Sequence, residues 1–185
     1  MEVQVIETIP ARHTRRVTTL LDACFRPAAV RRSDHADRFC SQADAWRHVL
    51  AIADDAVVVG FATIYRRAIT WNSEQVALGG LGDVCTDPAW RHRGVATAVI
   101  RSAMAELERA GDRLAYLCAA VDNSGIVHLY GQVGFVPLGR PHTYDGASGQ
   151  RYTERDAMIA PVGSREIFDD VLRSEQPLHI GRGNW

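Results

Sequence analysis

Residues 86–100, TDPAWRHRGVATAVI, set Arg91, His92 and Arg93 directly ahead of Gly94 and of an apolar run at helical spacing. A helix N-terminus presents unpaired N–H groups and the positive end of a dipole, so a strand-loop-helix junction is a ready anion site. Arginine and histidine add positive charge, and glycine removes the side chain that would hold a phosphate away from the backbone. The same residues also suit a plainer use, in which Asp87-Pro88 caps a helix and the arginines are solvated. The stretch alone leaves both readings open.

The elements that must position this stretch can be read from periodicity. VQVIETI alternates as a first strand, and HTRRVTTLLDACF carries apolar residues at helical spacing. Residues 26–45 are polar and contain Pro27 and several aspartates, which predicts a loop with short helical pieces. RHVLAIAD, AVVVGFATIYRRAITW and QVALGGLGDVCT follow as strands, with turn signals at Asp54-Asp55 and Asn72-Ser73, and predict a three-stranded antiparallel meander. Pro88 ends the last of these, a helix is predicted over 94–110, and Gly111 closes it. RLAYLCAAV predicts a buried strand, SGIVHLYGQVG a short helix, FVPLG a further strand and RDAMIAPV the last strand. The order implies an α+β fold, one central sheet, mixed but mostly antiparallel, flanked by helices.

Bulk composition narrows the partners. A chain of 185 residues suits one domain spanning 1–185, and 46% hydrophobic with 23% charged residues suits a water-soluble globular protein. A net charge of −1 gives no general attraction to nucleic acid or to an anionic membrane, and no apolar run is long enough to cross a bilayer. The N-terminal segment lacks the basic-then-apolar order of a signal peptide, so the cytoplasm is the expected compartment. Cys24, Cys40, Cys85 and Cys118 are scattered, with no Cys-x-x-Cys pair and no histidines at zinc spacing, so neither disulfide nor metal is expected.

DVCTDPAWRHRGVATAVI resembles the acetyl-CoA signature of the GCN5-related N-acetyltransferases, with Arg91, Gly94 and Ala96 at the signature positions. The resemblance implies that Val84, Cys85 and Thr86 run beside the pantetheine arm. It implies also that Arg91, His92, Arg93, Gly94, Val95, Ala96 and Thr97 cradle the pyrophosphate. IVHLYGQVGFVPLG resembles the second half of that fold, where the tyrosine, here Tyr130, gives a proton to the departing thiolate. A core aromatic under Phe135 is the other reading of Tyr130.

Several segments together with the final Trp185 are similar to the aminoglycoside 2'-N-acetyltransferases. That similarity implies an aminoglycoside acceptor, acetyl-CoA as the donor and a homodimer. Asp34, Asp37, Asp83, Asp122, Glu154, Asp156 and the Trp185 carboxylate are then the candidates to hold its ammonium groups. Those enzymes usually carry a glutamate where this chain has Gly82, and a serine-rich stretch where it has AAVDNS. Asp83 replaces the glutamate as base only if a bulge turns it inward. Asp122 either supplies negative charge or caps the Tyr130 helix together with Asn123 and Ser124. The two departures suggest a different acceptor within the class, such as kasugamycin.

Overall fold

The computed structural model describes residues 1–25 and 35–185. Strand β1 (Glu2–Ile6) and helix α1 (Ala11–Phe25) precede a single helical turn, α2 (His35–Arg38). The predicted meander follows as β2 (Arg47–Ile52), β3 (Val58–Trp71) and β4 (Glu74–Thr86), paired antiparallel. Both turns take the backbone their residues favour. Asn72 and Ser73, with φ of 46° and 67°, form a two-residue turn whose twist matches the strands. Asp54 and Asp55 lead into Ala56 at φ 63°, closed by the Ala53 N–H to the Val57 carbonyl.

Helix α3 (Val95–Arg109) lays Val95, Val99, Ile100, Ala103 and Leu107 on one face of the sheet. β5 (Leu114–Cys118), α4 (Ser124–Gly131), β6 (Val136–Pro137) and β9 (Ala157–Pro161) complete a seven-stranded sheet of order β1-β2-β3-β4-β5-β9-β6. Only β4 and β5 pair parallel within it. The opposite face is covered at one end by Val17 and Leu20 of α1, packed with Leu50, Phe61 and Cys85.

Residues after 140 depart from the sequence expectation. RDAMIAPV is not the last strand. β7 (His142–Asp145) and β8 (Arg151–Glu154) form a hairpin before it, and α5 (Arg165–Arg173) and β10 (Leu178–Arg182) follow it. These three strands make a second sheet of order β10-β7-β8. The hairpin strands are four residues each, too short for period-two alternation to stand out. The second sheet shares a core with the first through Tyr116, Tyr144, Leu178 and Trp185.

Candidate active site

The parallel pairing of β4 with β5 covers only Leu78–Gly80 against Leu114–Tyr116, although β4 runs on to Thr86. Beyond it a cleft of ≈ 600 Å³ is lined on one side by Val84, Cys85 and Thr86. Cys118, Ala119, Ala120 and the α4 residues Gly125, Ile126, Leu129 and Tyr130 line the other. The β4 edge there carries main-chain groups unused by β5, able to bond an extended chain laid between the strands.

The arginine-glycine stretch forms the cleft's third side. Asp87 accepts from the Ala89 N–H, capping a short 3-10 turn at Pro88–Trp90, and pairs with Arg16. The bland cap reading therefore holds for the turn but not for α3. Gly94, at φ 76°, precedes α3 with no side-chain cap, so the first helical N–H groups of Val95, Ala96 and Thr97 have no carbonyl within the helix to bond. His92 at φ 59° two residues earlier gives the kind of turned backbone that aims successive N–H groups at an anion. Arg91, His92, Gly94, Val95, Ala96 and Thr97 all line the cleft. Arg93 does not. Its guanidinium lies over the Trp90 ring, 5.2 Å from the centroid, which leaves its main-chain N–H as the group it can offer the cradle.

Tyr130 packs under Phe135 and also reaches the cleft wall. Its ring meets Phe135 edge-on at 5.9 Å, and the residue is 9% exposed on the cleft wall. Burial pushes its phenol up to about 12, which keeps the hydroxyl protonated at working pH. Asn123 caps α4 by accepting from the Gly125 and Ile126 N–H groups, whereas Asp122 stays exposed on the preceding turn and takes no part in that cap.

The condition set for Asp83 is met. Gly82 pairs with Thr63 and Cys85 with Phe61, so Asp83 and Val84 both stand opposite Ala62 in a β-bulge with Asp83 at φ 55°. The bulge carries the Asp83 carboxylate to the Gly82 face, where its Oδ2 accepts from the Thr63 hydroxyl at 2.8 Å. His48, paired with Thr63 across β2 and β3 and stacked on Phe61 at 5.6 Å, is buried beside them. Burial holds the His48 imidazole below its usual range against the opposing pull of Asp83. Sequence reasoning missed His48, a lone histidine in a strand; its place on the polar face shows only once the register is known.

Trp185 is no frayed end. It is 8% exposed, stacked on Tyr65 at 5.4 Å and edge-on to Tyr116 at 5.5 Å, with the Arg67 guanidinium 3.9 Å from its ring centroid. The indole lies flat on the β4 backbone at Gly80, where a Cβ would overlap it. At Gly82 a Cβ would stand 2.9 Å from the Tyr65 ring and 3.4 Å from the Trp185 Cβ, so a side chain there requires the Tyr65 ring to shift. The glycine run in ALGGLGDV was the available signal for such a close approach.

The remaining acids divide. Asp34 lies outside the described residues. Asp37 accepts from the Ser148 N–H, the Ser148 hydroxyl and the Tyr152 hydroxyl, and Glu154 pairs with Arg38 and accepts from Asn184. Through these partners both carboxylates tie the second sheet to the α2 segment and the tail. Asp156 faces Cys118 at 3.5 Å rather than the Asp83 face.

A sheet whose parallel pair parts at an uncapped helix N-terminus, with a buried tyrosine opposite, is the frame of an acyl-transfer domain. Residues 6–137 match the family model described as an acetyltransferase (GNAT) domain, and the chain belongs to that family. An uncharacterized N-acetyltransferase from Methanocaldococcus jannaschii is 31% identical over 64 residues, which is 35% of this chain and 28% of that protein. A GCN5-related N-acetyltransferase from Anabaena variabilis superposes with a TM-score of 0.59 at 17% identity, covering 77% of this chain and 34% of that one. A GNAT family N-acetyltransferase from Escherichia coli, crystallised with CoA, gives 0.60 at 14% identity, over 97% and 88% of the two chains. At these identities the solved structures speak for the fold.

Proposed function

We propose that this chain transfers the acetyl group of acetyl-CoA to the 2'-amine of an aminoglycoside, of kasugamycin or deoxystreptamine type, and so protects its host from the drug. The observation that carries the reading is the cleft between the parting strands, running from the uncapped start of α3 to Tyr130.

In this reading the N–H groups of Val95, Ala96 and Thr97, with Arg91 and His92, hold the pyrophosphate, and the β4 edge at Val84–Thr86 bonds the pantetheine amides. Acetyl-CoA supplies the activated thioester. A main-chain N–H near Val84 polarises its carbonyl as the oxyanion forms. Tyr130 donates its phenolic proton to the leaving sulfur, and Asp83, acting through water, accepts the proton of the attacking amine. Asp122 adds negative charge for a polycationic acceptor.

Thiol release from acetyl-CoA, measured with a panel of aminoglycosides including kasugamycin and with spermidine, amino acids and peptide N-termini, tests this reading. Stimulation by an aminoglycoside is expected. Release stimulated only by another amine overturns the acceptor assignment and leaves the transferase.

A further inference from the structure

Behind the cleft floor, four side chains from separate segments converge. Cys118 ends β5, His142 begins β7, Glu154 ends β8 and Asp156 lies just before β9. The strand registers bring them together, since His142 pairs with Glu154 and Cys118 with Ala157, the neighbour of Asp156. One donor atom from each lies within 4.8 Å of the other three. Sequence spacing does not show this: Glu154 and Asp156 are two residues apart, but Cys118 and His142 come from distant segments.

The Cys118 sulfur lies within hydrogen-bond reach of His142 Nε2, Asp156 and Asn184, but the contacts of the histidine to the two carboxylates are not hydrogen bonds. His142 is fully buried, and its Nε2 stands 3.6 Å from the Cys118 sulfur, 3.9 Å from Glu154 Oε2 and 3.8 Å from Asp156 Oδ1. Both oxygens are beyond nitrogen-oxygen hydrogen-bond reach. Nδ1 of the same ring, also buried, has no partner among the described residues. An imidazole whose Nε2 has only the long contact to the Cys118 sulfur and whose Nδ1 has no partner is costly to bury, and two carboxylates beside a thiol add to the cost.

A tetrahedral zinc ion on Nε2 gives that nitrogen, the thiol and the two carboxylates a common partner, while Nδ1 keeps its proton without a partner among the described residues. With metal bonds of about 2.3 Å to sulfur and about 2.0–2.2 Å to nitrogen and oxygen, tetrahedral edges come to about 3.6 Å from sulfur and about 3.4 Å between nitrogen and oxygen. Cys118 stands at 3.6 Å from His142 and 3.5 Å from Asp156, and the nitrogen-oxygen edges at 3.8 and 3.9 Å need to contract by about 0.5 Å. The two edges from Glu154 to Cys118 and Asp156 lie within 4.8 Å and must close toward the same lengths. Sulfur and nitrogen donors favour zinc over magnesium or calcium.

Charge closes as well. A thiolate, two carboxylates, the Arg38 guanidinium on Glu154 and a divalent ion sum to zero. The surroundings already orient the donors. Asn184 donates to Glu154 Oε2 at 3.0 Å and to the Cys118 sulfur at 3.1 Å, and Tyr116 lies 2.8 Å from that sulfur.

We propose that Cys118 Sγ, His142 Nε2, Glu154 Oε2 and Asp156 Oδ1 form a structural zinc site that clamps the second sheet and the Asn184 tail to β5. Four protein donors leave no open position, the mark of a structural site. Binding displaces the Cys118 thiol proton to solvent, and no other bond changes.

The test uses the full chain, stripped by a chelator and titrated with Co²⁺ and then Zn²⁺. Wild type is expected to take up one equivalent of Co²⁺ with a thiolate charge-transfer band and intense tetrahedral visible bands, displaced by Zn²⁺. Cys118→Ser should lose the charge-transfer band, while Cys40→Ser keeps it. Asp156→Asn, at a half-exposed position that leaves the fold in place, should bind Zn²⁺ at least tenfold more weakly. Wild type failing to bind one equivalent, a band that persists in Cys118→Ser, or unchanged affinity in Asp156→Asn overturns the site.

Discussion

Replacing Trp185 with alanine separates a core residue from a loose end by a margin that is easy to measure. The indole is 8% exposed, sandwiched between Tyr65 and the Gly80 backbone, edge-on to Tyr116, and its Nε1 donates to the Tyr116 carbonyl at 3.3 Å. Removing a buried tryptophan typically costs about 3–5 kcal/mol, the upper part applying where neighbours cannot collapse into the space. The floor here is β4 backbone held in the main sheet, so collapse is restricted and a loss of about 4 kcal/mol is expected. For a domain of this size each kcal/mol moves the melting midpoint by about 2–4 °C, giving a fall of about 8–16 °C. Urea denaturation of wild type, Trp185→Ala and Trp185→Phe measures it, with phenylalanine retaining part of the stacking and an intermediate stability. A loss below about 1 kcal/mol in Trp185→Ala would refute the seating of the tail on β4.

Three further outcomes follow from the site. Tyr130→Phe keeps the packing on Phe135 and should bind acetyl-CoA as wild type does, while turnover falls by about 10²–10⁴-fold; full turnover in stopped-flow or steady-state assays removes the general acid. Asp83→Asn tolerates the left-handed backbone at φ 55°, so the fold should persist and the acceptor kcat/KM fall by about 10²-fold, whereas unchanged kinetics leave Asp83 as a partner of Thr63 alone. Burial lowers the His48 pKa below its ordinary 6.5, so the unfolded chain binds its proton first as pH falls. Its contribution to stability is full above 6.5 and is lost below it, at a slope of at most about 1.4 kcal/mol per pH unit. Denaturation from pH 7.5 to 5 should show a steeper loss in wild type than in His48→Gln, and equal slopes would count against a buried neutral imidazole.

Legibility in the sequence followed the length of the signals. The β2-β3-β4 meander was readable because its turns carry Asp54-Asp55 and Asn72-Ser73 between long β-branched runs, and α3 because its apolar spacing spans four turns. The second sheet escaped because HTYD and RYTE are short and their polar positions bond across to Asp37 and Arg38 from a distant segment. The anion loop was readable locally; the stacking of Arg93 on Trp90 is a side-chain choice that spacing does not encode. Acids were the least readable. Glu154 and Asp37 serve partners more than 100 residues away in sequence, and the inward turn of Asp83 depends on a bulge that only the pairing register reveals.

The central claim is that the parting of β4 from β5 holds acetyl-CoA with its pyrophosphate on the start of α3. Amide hydrogen exchange with and without saturating acetyl-CoA tests it at residue level. Protection concentrated at Val84–Thr86 and at the amides of His92–Thr97 is the predicted result; acetyl-CoA binding that leaves those amides exchanging as in the free protein would contradict it.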